Sequence, residues 1–399
     1  MFQGVQVLFV AFGALVIVPL LTGLDPNVAL FTAGIGTLIF HLITRMKVPI
    51  FLASSFAFIP AITYGVATWG IPSTLCGLAA AGLFYVVLSF AIRFFGIEMI
   101  NRLFPPVVVG PVICAIGLSL APTAVNMALG IAGGVQVVPV ETALMIAGVS
   151  LLTTLVAFSF TKGWLRLIPI LCGIVAGYVL SAAIGIVDYN GIIDAAWFSV
   201  PAFTLPEWNL EAILFIVPVA IAPAIEHFGD ILAIGSVTGK NYLKDPGVDR
   251  TMLGDGIATF VASFMGGPPN TTYSEVTGAV ALTRQFNPII MVTGAIFAII
   301  FAFIGKIGAA LHSIPIPVMG GVMILLFGLI ASLGINQLVQ KRVDLSLQKN
   351  IVIVSIVLVT AIGGLFIPIG DFQFAGIGLA AIIGIILNLA IPEPREATI

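Results

Sequence analysis

Apolar runs of about twenty residues, the length an α-helix needs to cross a bilayer, follow one another from residue 3 to residue 392, with short breaks apart from one longer polar connection at Tyr189–Asn209. The chain is 60% hydrophobic and 8% charged, whereas a soluble domain carries about 25% charged residues. No water-soluble surface can be built from this composition, so most side chains must face lipid or other apolar helices. A net charge of −2 gives no electrostatic footprint for nucleic acid as a partner. No phosphate loop or nucleotide motif points to ATP-driven pumping. The three cysteines, Cys76, Cys114 and Cys172, sit in apolar segments at spacings that match no metal motif, and read as membrane packing. The first run, Val5–Leu21, has no basic residue before it and no small-residue cleavage site, so it reads as a true span rather than a signal peptide.

Runs bounded by Gly, Pro or charge fall at 3–22, 27–45, 49–69, 73–96, 105–128, 140–160 and 167–188, then at 211–236, 250–266, 268–283, 287–307, 316–339, 347–366 and 376–392. The expectation is an all-α polytopic membrane protein of 14 spans. Charge placement tests this count. Arg45 and Lys47 follow span 2, Arg93 and Arg102 span 4, Lys162 and Arg166 span 6, and Lys240, Lys244 and Arg250 span 8. Arg284 follows span 10, Lys341, Arg342 and Lys349 span 12, and Arg395 span 14. Of all 15 basic residues only Lys306 falls on the other side, where the loops hold Asp25, Asp188, Asp194, Glu207 and Asp371. The positive-inside rule then places both termini in the cytoplasm.

The two sets of seven runs resemble each other. Phe12-Gly13-Ala14 recurs as Phe228-Gly229-Asp230, Ser54-Ser55-Phe56 as Thr271-Thr272-Tyr273, and Pro106-Val107 before Gly110 as Pro317-Val318 before Gly320. Three matches in order at a near-constant offset indicate a repeat. Seven is odd, so the second copy enters the membrane from the opposite side. Inverted repeats of this kind belong to secondary transporters, which bind substrate at mid-membrane between the copies.

Spans 3 and 10 depart from plain helix. Span 3 opens Val48-Pro49-Ile50-Phe51-Leu52-Ala53-Ser54-Ser55 and span 10 opens Gly266-Gly267-Pro268-Pro269-Asn270-Thr271-Thr272-Tyr273. Proline there opposes a helix start. Each span therefore reads as a short extended segment followed by a half-helix, and backbone of that kind is tolerated at depth only where protein surrounds it or a cavity adjoins it. The half-helix N-termini offer free N–H groups and the positive ends of their dipoles. A simple proline kink in each span is the plainer reading.

Three carboxylates lie inside spans: Glu226 and Asp230 in span 8 and Glu275 in span 10. Insertion scales put the cost of such a group at about 2.5–3.5 kcal/mol, which makes it functional by default. Glu226 and Asp230 are four apart, on one helical face. A buried carboxyl satisfied by packing is the plainer alternative for each. His227 points about 100° around the helix from Glu226 and reads as a packed or bonded histidine. His41 and His312 lie near span ends and also have plain readings, and Asp255 reads as a hydrogen-bonding group between helices. Asn270-Thr271-Thr272 fits the glycosylation pattern, but lies too deep to be modified.

These residues carry a resemblance. Ala224-Ile225-Glu226-His227-Phe228-Gly229 is similar to the span-8 signature of uracil permeases, and Pro269-Asn270-Thr271-Thr272-Tyr273-Ser274-Glu275 with Thr283-Arg284 to their span-10 signature. Ser54-Ser55-Phe56-Ala57-Phe58 resembles their span 3, and Pro315-Ile316-Pro317-Val318-Met319-Gly320-Gly321 the start of their span 12. The chain thereby resembles the nucleobase–ascorbate (nucleobase:cation symporter-2) family over nearly its whole length; purine- and ascorbate-type members usually carry an Asn-Gly pattern in span 10. The resemblance implies a core domain of spans 1–4 and 8–11 (residues 1–96 and 209–310) and a gate domain of spans 5–7 and 12–14 (97–188 and 311–392). It implies a substrate, uracil or a related nucleobase such as xanthine, held mainly by Glu226 and Glu275. Phe56, Ser55, Ser274, Tyr273 and Ala14 complete the pocket, and Phe327 closes it as a gate. It further implies a homodimer in the cytoplasmic membrane and no cofactor beyond a coupling cation, a proton or else sodium; the placing of Asp230 one turn from Glu226 on the same face makes that pair the expected carrier of the cation. Two departures stand out: Ser274 replaces a common Gly, and Asp230 stands where close uracil permeases have His.

The chemistry fits independently. Uracil is a flat ring with two N–H donors and two carbonyl acceptors. Ionised carboxylates are pure acceptors for the N–H groups, backbone N–H groups suit a carbonyl, and Phe56 and Tyr273 suit the ring faces. The rival transporter reading is a sulfate-permease-type anion transporter, which shares the seven-plus-seven plan. An intramembrane enzyme is disfavoured, since no Ser/His pair or His-Glu-x-x-His motif occurs, and a channel is disfavoured by mid-span carboxylates.

Overall fold

The computed structural model describes residues 2–96, 98, 102–163, 165–369 and 372–392; Asp371 and Arg395, used above for orientation, lie outside the described residues. The chain is mostly helical. Helices α1 (Phe2–Thr22) and α2 (Pro26–Ile43) lead into strand β1 (Leu52–Ser54), a single 3₁₀ turn (Phe56–Phe58) and α3 (Ile59–Phe95). Then come α4 (Pro106–Ala128), a small hairpin β2 (Ile131–Ala132) and β3 (Val135–Gln136), α5 (Val140–Phe160), α6 (Pro169–Ala183) and the short α7 (Asn190–Asp194). The second half runs α8 (Leu210–Thr238), α9 (Val248–Phe264), β4 (Asn270–Thr272), α10 (Ser274–Thr283), α11 (Pro288–Ala302) and α12 (Gly305–His312). It ends with α13 (Ile316–Gln340), α14 (Gln348–Ile362), a hairpin β5 (Phe366–Ile369) and β6 (Phe372–Ala375), and α15 (Gly376–Ala390).

Local chemistry sets these boundaries. Proline opens α2, α4, α6 and α11, where its fixed φ suits the first turn and its missing N–H leaves no bond unmade. The Asp25 carboxylate caps α2 by accepting from the N–H groups of Asn27 at 2.7 Å and Val28 at 3.2 Å, and Asn209 and Asn287 cap α8 and α11 in the same way. Within α3, Gly70 takes φ 79°, ψ 172° and breaks the helix in two; only glycine holds that conformation without a steric penalty. A 3₁₀ turn at Val217–Ala220, containing Pro218, interrupts α8.

Among the described residues, seven helices are long and apolar enough to cross a membrane, or eight if α11 and α12, bent by 83°, form one span. Three further apolar helices, α6, α14 and α15, are shorter. The most extensive packing joins α4 to α13, followed by α9 on α3 and α11 on α2. Helices α4 and α13 approach closely through glycine: a Cβ on Gly117 would lie 2.6 Å from the Ala331 nitrogen.

At the centre, β1 and β4 pair antiparallel, with Leu52 opposite Thr272, Ala53 opposite Thr271 and Ser54 opposite Asn270. All six residues are buried. Their backbones need partners that neither water nor lipid can supply, and side chains of α2 and α9 provide them. The Leu52 N–H donates to Thr37 Oγ1 at 3.0 Å, the Thr259 hydroxyl donates to the Asn270 carbonyl at 2.6 Å, and His41 Nε2 lies 3.0 Å from the Ile50 carbonyl. His41 thus has a scaffolding role. The Asn270 side-chain amide donates to the Thr32 carbonyl at 2.9 Å, and the Ser55 N–H donates to the Pro269 carbonyl at 2.9 Å.

Candidate functional site

Each central strand delivers the chain to a helix start inside the molecule. After β1, the 3₁₀ turn places Phe56, Ala57 and Phe58 in the interior. After β4, Tyr273 precedes α10, whose first turn carries Glu275. Beside them, α8 carries Glu226, His227 and Asp230.

The structure brings the three intramembrane carboxyls together: Glu226, Asp230 and Glu275 are electrostatic neighbours. Glu226 and Glu275 are half-buried, and Asp230 is 4% exposed. Glu226 and Asp230 line a cavity of about 570 Å³ with Gly229, Ser236, Thr277, Asn336, Gln337 and Gln340, rimmed by Lys341. Glu275 lines a second cavity of about 320 Å³ between α1, α6 and α10, rimmed by Arg166. The aromatic residues form a separate contact. The Phe56 ring lies 6.4 Å from Tyr273, tilted by 41°, and 6.4 Å from Phe327, edge-on at 83°. The Tyr273 hydroxyl approaches Glu275 and the Ala14 backbone without hydrogen-bond geometry to either. Ala14, Ser55 and Phe327 are buried. None of Ala14, Ser55, Phe56, Tyr273 and Phe327 lines either cavity. The backbone of Ser274 starts α10, but its side chain falls outside what the structure describes.

His227 and Asp255, separate hydrogen-bonding residues in the sequence, are paired in the structure. His227 Nδ1 lies 2.8 Å from Asp255 Oδ2, and Nε2 lies 2.9 Å from Thr251 Oγ1. Thr272, in β4, donates its backbone N–H to Asp255 at 3.4 Å and its hydroxyl to Asp230 Oδ2 at 2.8 Å. No periodicity announces a contact between residues 28 apart on different helices, although two ionisable groups in apolar helices each demand a partner. The polar cavity wall of Asn336, Gln337 and Gln340 had a readable signal, since those positions share one face at the end of α13.

Taken together, the site can accept hydrogen bonds from a small polar ligand through two carboxylates, offer aromatic surface beside them, and hold a cation among three acids. The family model described as "Permease family" (Xan_ur_permease) matches residues 1–370. A "Probable uracil permease" of Haemophilus influenzae is 55% identical over 395 residues, covering 99% of this chain and 95% of that relative. The uracil permease of Bacillus subtilis is 43% identical, covering 98% of this chain and 92% of its own. The Escherichia coli uracil permease is 38% identical, covering 97% and 90%. Among solved structures, the transmembrane domain of the cyanobacterial bicarbonate transporter BicA superposes with a TM-score of 0.63 at 16% identity, covering 98% of this chain and 96% of that one. The murine anion transporter Slc26a9 in its inward-facing state gives a TM-score of 0.72 at 12% identity, covering 98% and 67%. At such low identity these two structures share the fold and carry no statement about substrate.

Proposed function

Because this chain belongs to the nucleobase–ascorbate transporter family of permeases, we propose that it carries uracil across the cytoplasmic membrane by symport with a cation, and that the cation is a proton. It is a multi-pass membrane protein and a transporter rather than an enzyme. The observation that carries the substrate assignment is 38–55% identity to uracil permeases over almost the whole chain. The anion transporters that share the fold reach only 12–16%. The site chemistry agrees: Glu226 and Glu275 accept the two ring N–H groups, and Phe56 and Tyr273 cover the ring.

The topology we propose is fourteen spans in two inverted sets of seven, with both termini in the cytoplasm. It counts α3 as two segments divided at Gly70, and β1 and β4 with the helices after them as one segment each. Packing supports the repeat. The contact of α1 with α11 is matched by that of α8 with α3, α2 with α11 by α9 with α3, α5 with α6 by α14 with α15, and α4 with α14 by α13 with α5. The same packing supports the domain division: α1–α3 pack chiefly with α8–α11, and α4–α6 with α13–α15. The substrate then sits between core and gate, and both glutamate-lined cavities open beside basic residues on the cytoplasmic side.

Asp230 carries the coupling cation. Ionised carboxylates this close repel, and a cation shared with Glu226 relieves the repulsion. A proton does so by neutralising one acid while the other accepts the substrate N–H. The test is uracil uptake into proteoliposomes under an imposed pH gradient without sodium, then under a sodium gradient at fixed pH, with a panel of nucleobases as competitors. Uptake driven by the pH gradient and competed best by uracil is expected. Uptake driven only by sodium refutes the proton, and uptake competed better by xanthine refutes the substrate.

A further inference from the structure

His227, Asp255 and Thr251 form a buried polar cluster behind the cavity that holds Glu226 and Asp230; His227 and Asp255 are each 1% exposed. Their hydrogen-bond bookkeeping fixes a proton. The Thr251 hydroxyl donates to the Val248 carbonyl at 3.1 Å, so Thr251 Oγ1 accepts from His227 Nε2–H at 2.9 Å. That leaves Nδ1, 2.8 Å from Asp255 Oδ2. A bare nitrogen lone pair would repel a bare carboxylate oxygen at this distance, so one proton lies between them. Whether the pair is imidazolium with carboxylate or imidazole with carboxylic acid, its net charge is zero and it holds that one proton.

Thr272 connects this pair to the cavity. Its Oγ1 lies 3.5 Å from His227 Nδ1 and donates to Asp230 Oδ2 at 2.8 Å. Asp230 lines the 570 Å³ cavity; His227, Asp255 and Thr272 line none of the cavities described. The Thr272 hydroxyl therefore links a shared buried proton to an acid that lines a cavity.

We propose that the transported proton is stored on the His227–Asp255 pair and leaves through Thr272 and Asp230. The inference rests on the proton-symport reading above and places the proton one step deeper. On release, the proton on His227 Nδ1 passes to Thr272 Oγ1 while the Thr272 hydroxyl proton passes to Asp230 Oδ2. Asp230 then gives its proton to the cavity, leaving neutral His227 beside ionised Asp255, with the Thr272 hydroxyl now turned to donate to His227 Nδ1. Solvent protons reload the pair along the same path in reverse. The titratable groups facing this unit are Glu226 on α8, Glu275 on α10, Tyr273 before it, and Tyr85 on α3, which packs against Gly256. Thr272 and His227 act here through Asp230 and do not touch substrate.

Proteoliposome transport separates the steps, because uracil exchange under counterflow needs no net proton movement whereas accumulation against a gradient does. Thr272→Val keeps the β-branch and the backbone N–H but removes the hydroxyl. It is expected to retain exchange and to lower accumulation driven by a pH gradient by about tenfold or more, as a broken proton path should, and Thr272→Ser is expected to restore it. Accumulation by Thr272→Val at the wild-type level, or no rescue by Ser, overturns the relay. If Val prevents folding, His227→Asn decides: exchange without accumulation supports the relay, and normal accumulation overturns it. Asp230→Asn separates this from the underlying reading. If it still accumulates uracil on a pH gradient, the coupling role of Asp230 fails and the relay fails with it. If it does not, a fully coupled Thr272→Val sinks the relay alone.

Discussion

The strand Leu52–Ser54 runs into Phe56, Ala57 and Phe58, whereas its antiparallel partner Asn270–Thr272 runs into Tyr273, Ser274 and Glu275. The two arms share a backbone device: extended residues at the centre of the molecule, paired to each other, each followed by a helix start. They differ in what they present. The first arm is surrounded by apolar helices without a single carboxylate among residues 26–97, and contributes ring surface and backbone. The second brings Glu275, ties Thr272 to Asp230 and Asp255, and lies beside Glu226. The paired strands supply the same geometry twice, and the side chains that follow give one arm the surface and the other the charge. A flat ligand with N–H donors along part of its rim needs both.

The largest expected effect breaks the charged arm alone. Glu275→Ala and Glu226→Ala should each cost about 1.5–3 kcal/mol of uracil affinity, the value of a charge-assisted hydrogen bond. Glu→Gln should be milder because an acceptor oxygen remains. Equilibrium binding to the purified variants measures this, and unchanged affinity in a well-expressed alanine variant removes that residue from the site.

The strand register gives a second, more direct contrast. Ser54 and Asn270 face each other across the pair. The Asn270 amide holds the Thr32 carbonyl, whereas the Ser54 hydroxyl is buried with no hydrogen-bond partner. Asn270→Ala should lower stability by about 1–3 kcal/mol by leaving buried groups unsatisfied, and Ser54→Ala should be close to neutral. Thermal unfolding of the two variants side by side decides it; equal losses would mean that the arms are anchored alike.

Phe327→Ala sharpens the role of ring surface. The Phe327 ring packs edge-on against Phe56 from the opposing helix α13, so its loss should slow transport more than it weakens equilibrium binding. The reverse pattern would make Phe327 ordinary packing. The smallest effect is expected at the exposed pair of Lys47, in the loop before β1, with Asp245, in the loop between α8 and α9. Lys47→Ala should change stability by less than about 1 kcal/mol, as surface ion pairs do, with uptake unaltered.

Much of this arrangement was legible in the sequence because membrane chemistry leaves few choices. Apolar runs and proline starts mark the helices, Pro49 and the Gly266–Pro269 stretch mark the places where helix cannot begin, and a carboxylate in a span is conspicuous by its cost. Glu226, Asp230 and Glu275 stood out on that ground, and the fold sets them beside one another. What was not legible depends on contacts between elements. His41 looked like a loose polar residue near a span end, but it supports the Ile50 carbonyl. His227 and Asp255 looked like two separate hydrogen bonders until folding set them 2.8 Å apart.

In the proposed site, Glu226 and Glu275 accept the two ring N–H groups of uracil beside the paired arms. Equilibrium competition against radiolabelled uracil, using uracil methylated at one or the other ring nitrogen, tests it most directly. A methyl group deletes one donor and leaves a buried carboxylate unpaired, so each methylated form should bind at least about tenfold more weakly than uracil. In the matching Glu→Ala variant that discrimination should collapse. Methylated forms that compete as well as uracil against the wild-type protein would remove both glutamates from ring N–H recognition.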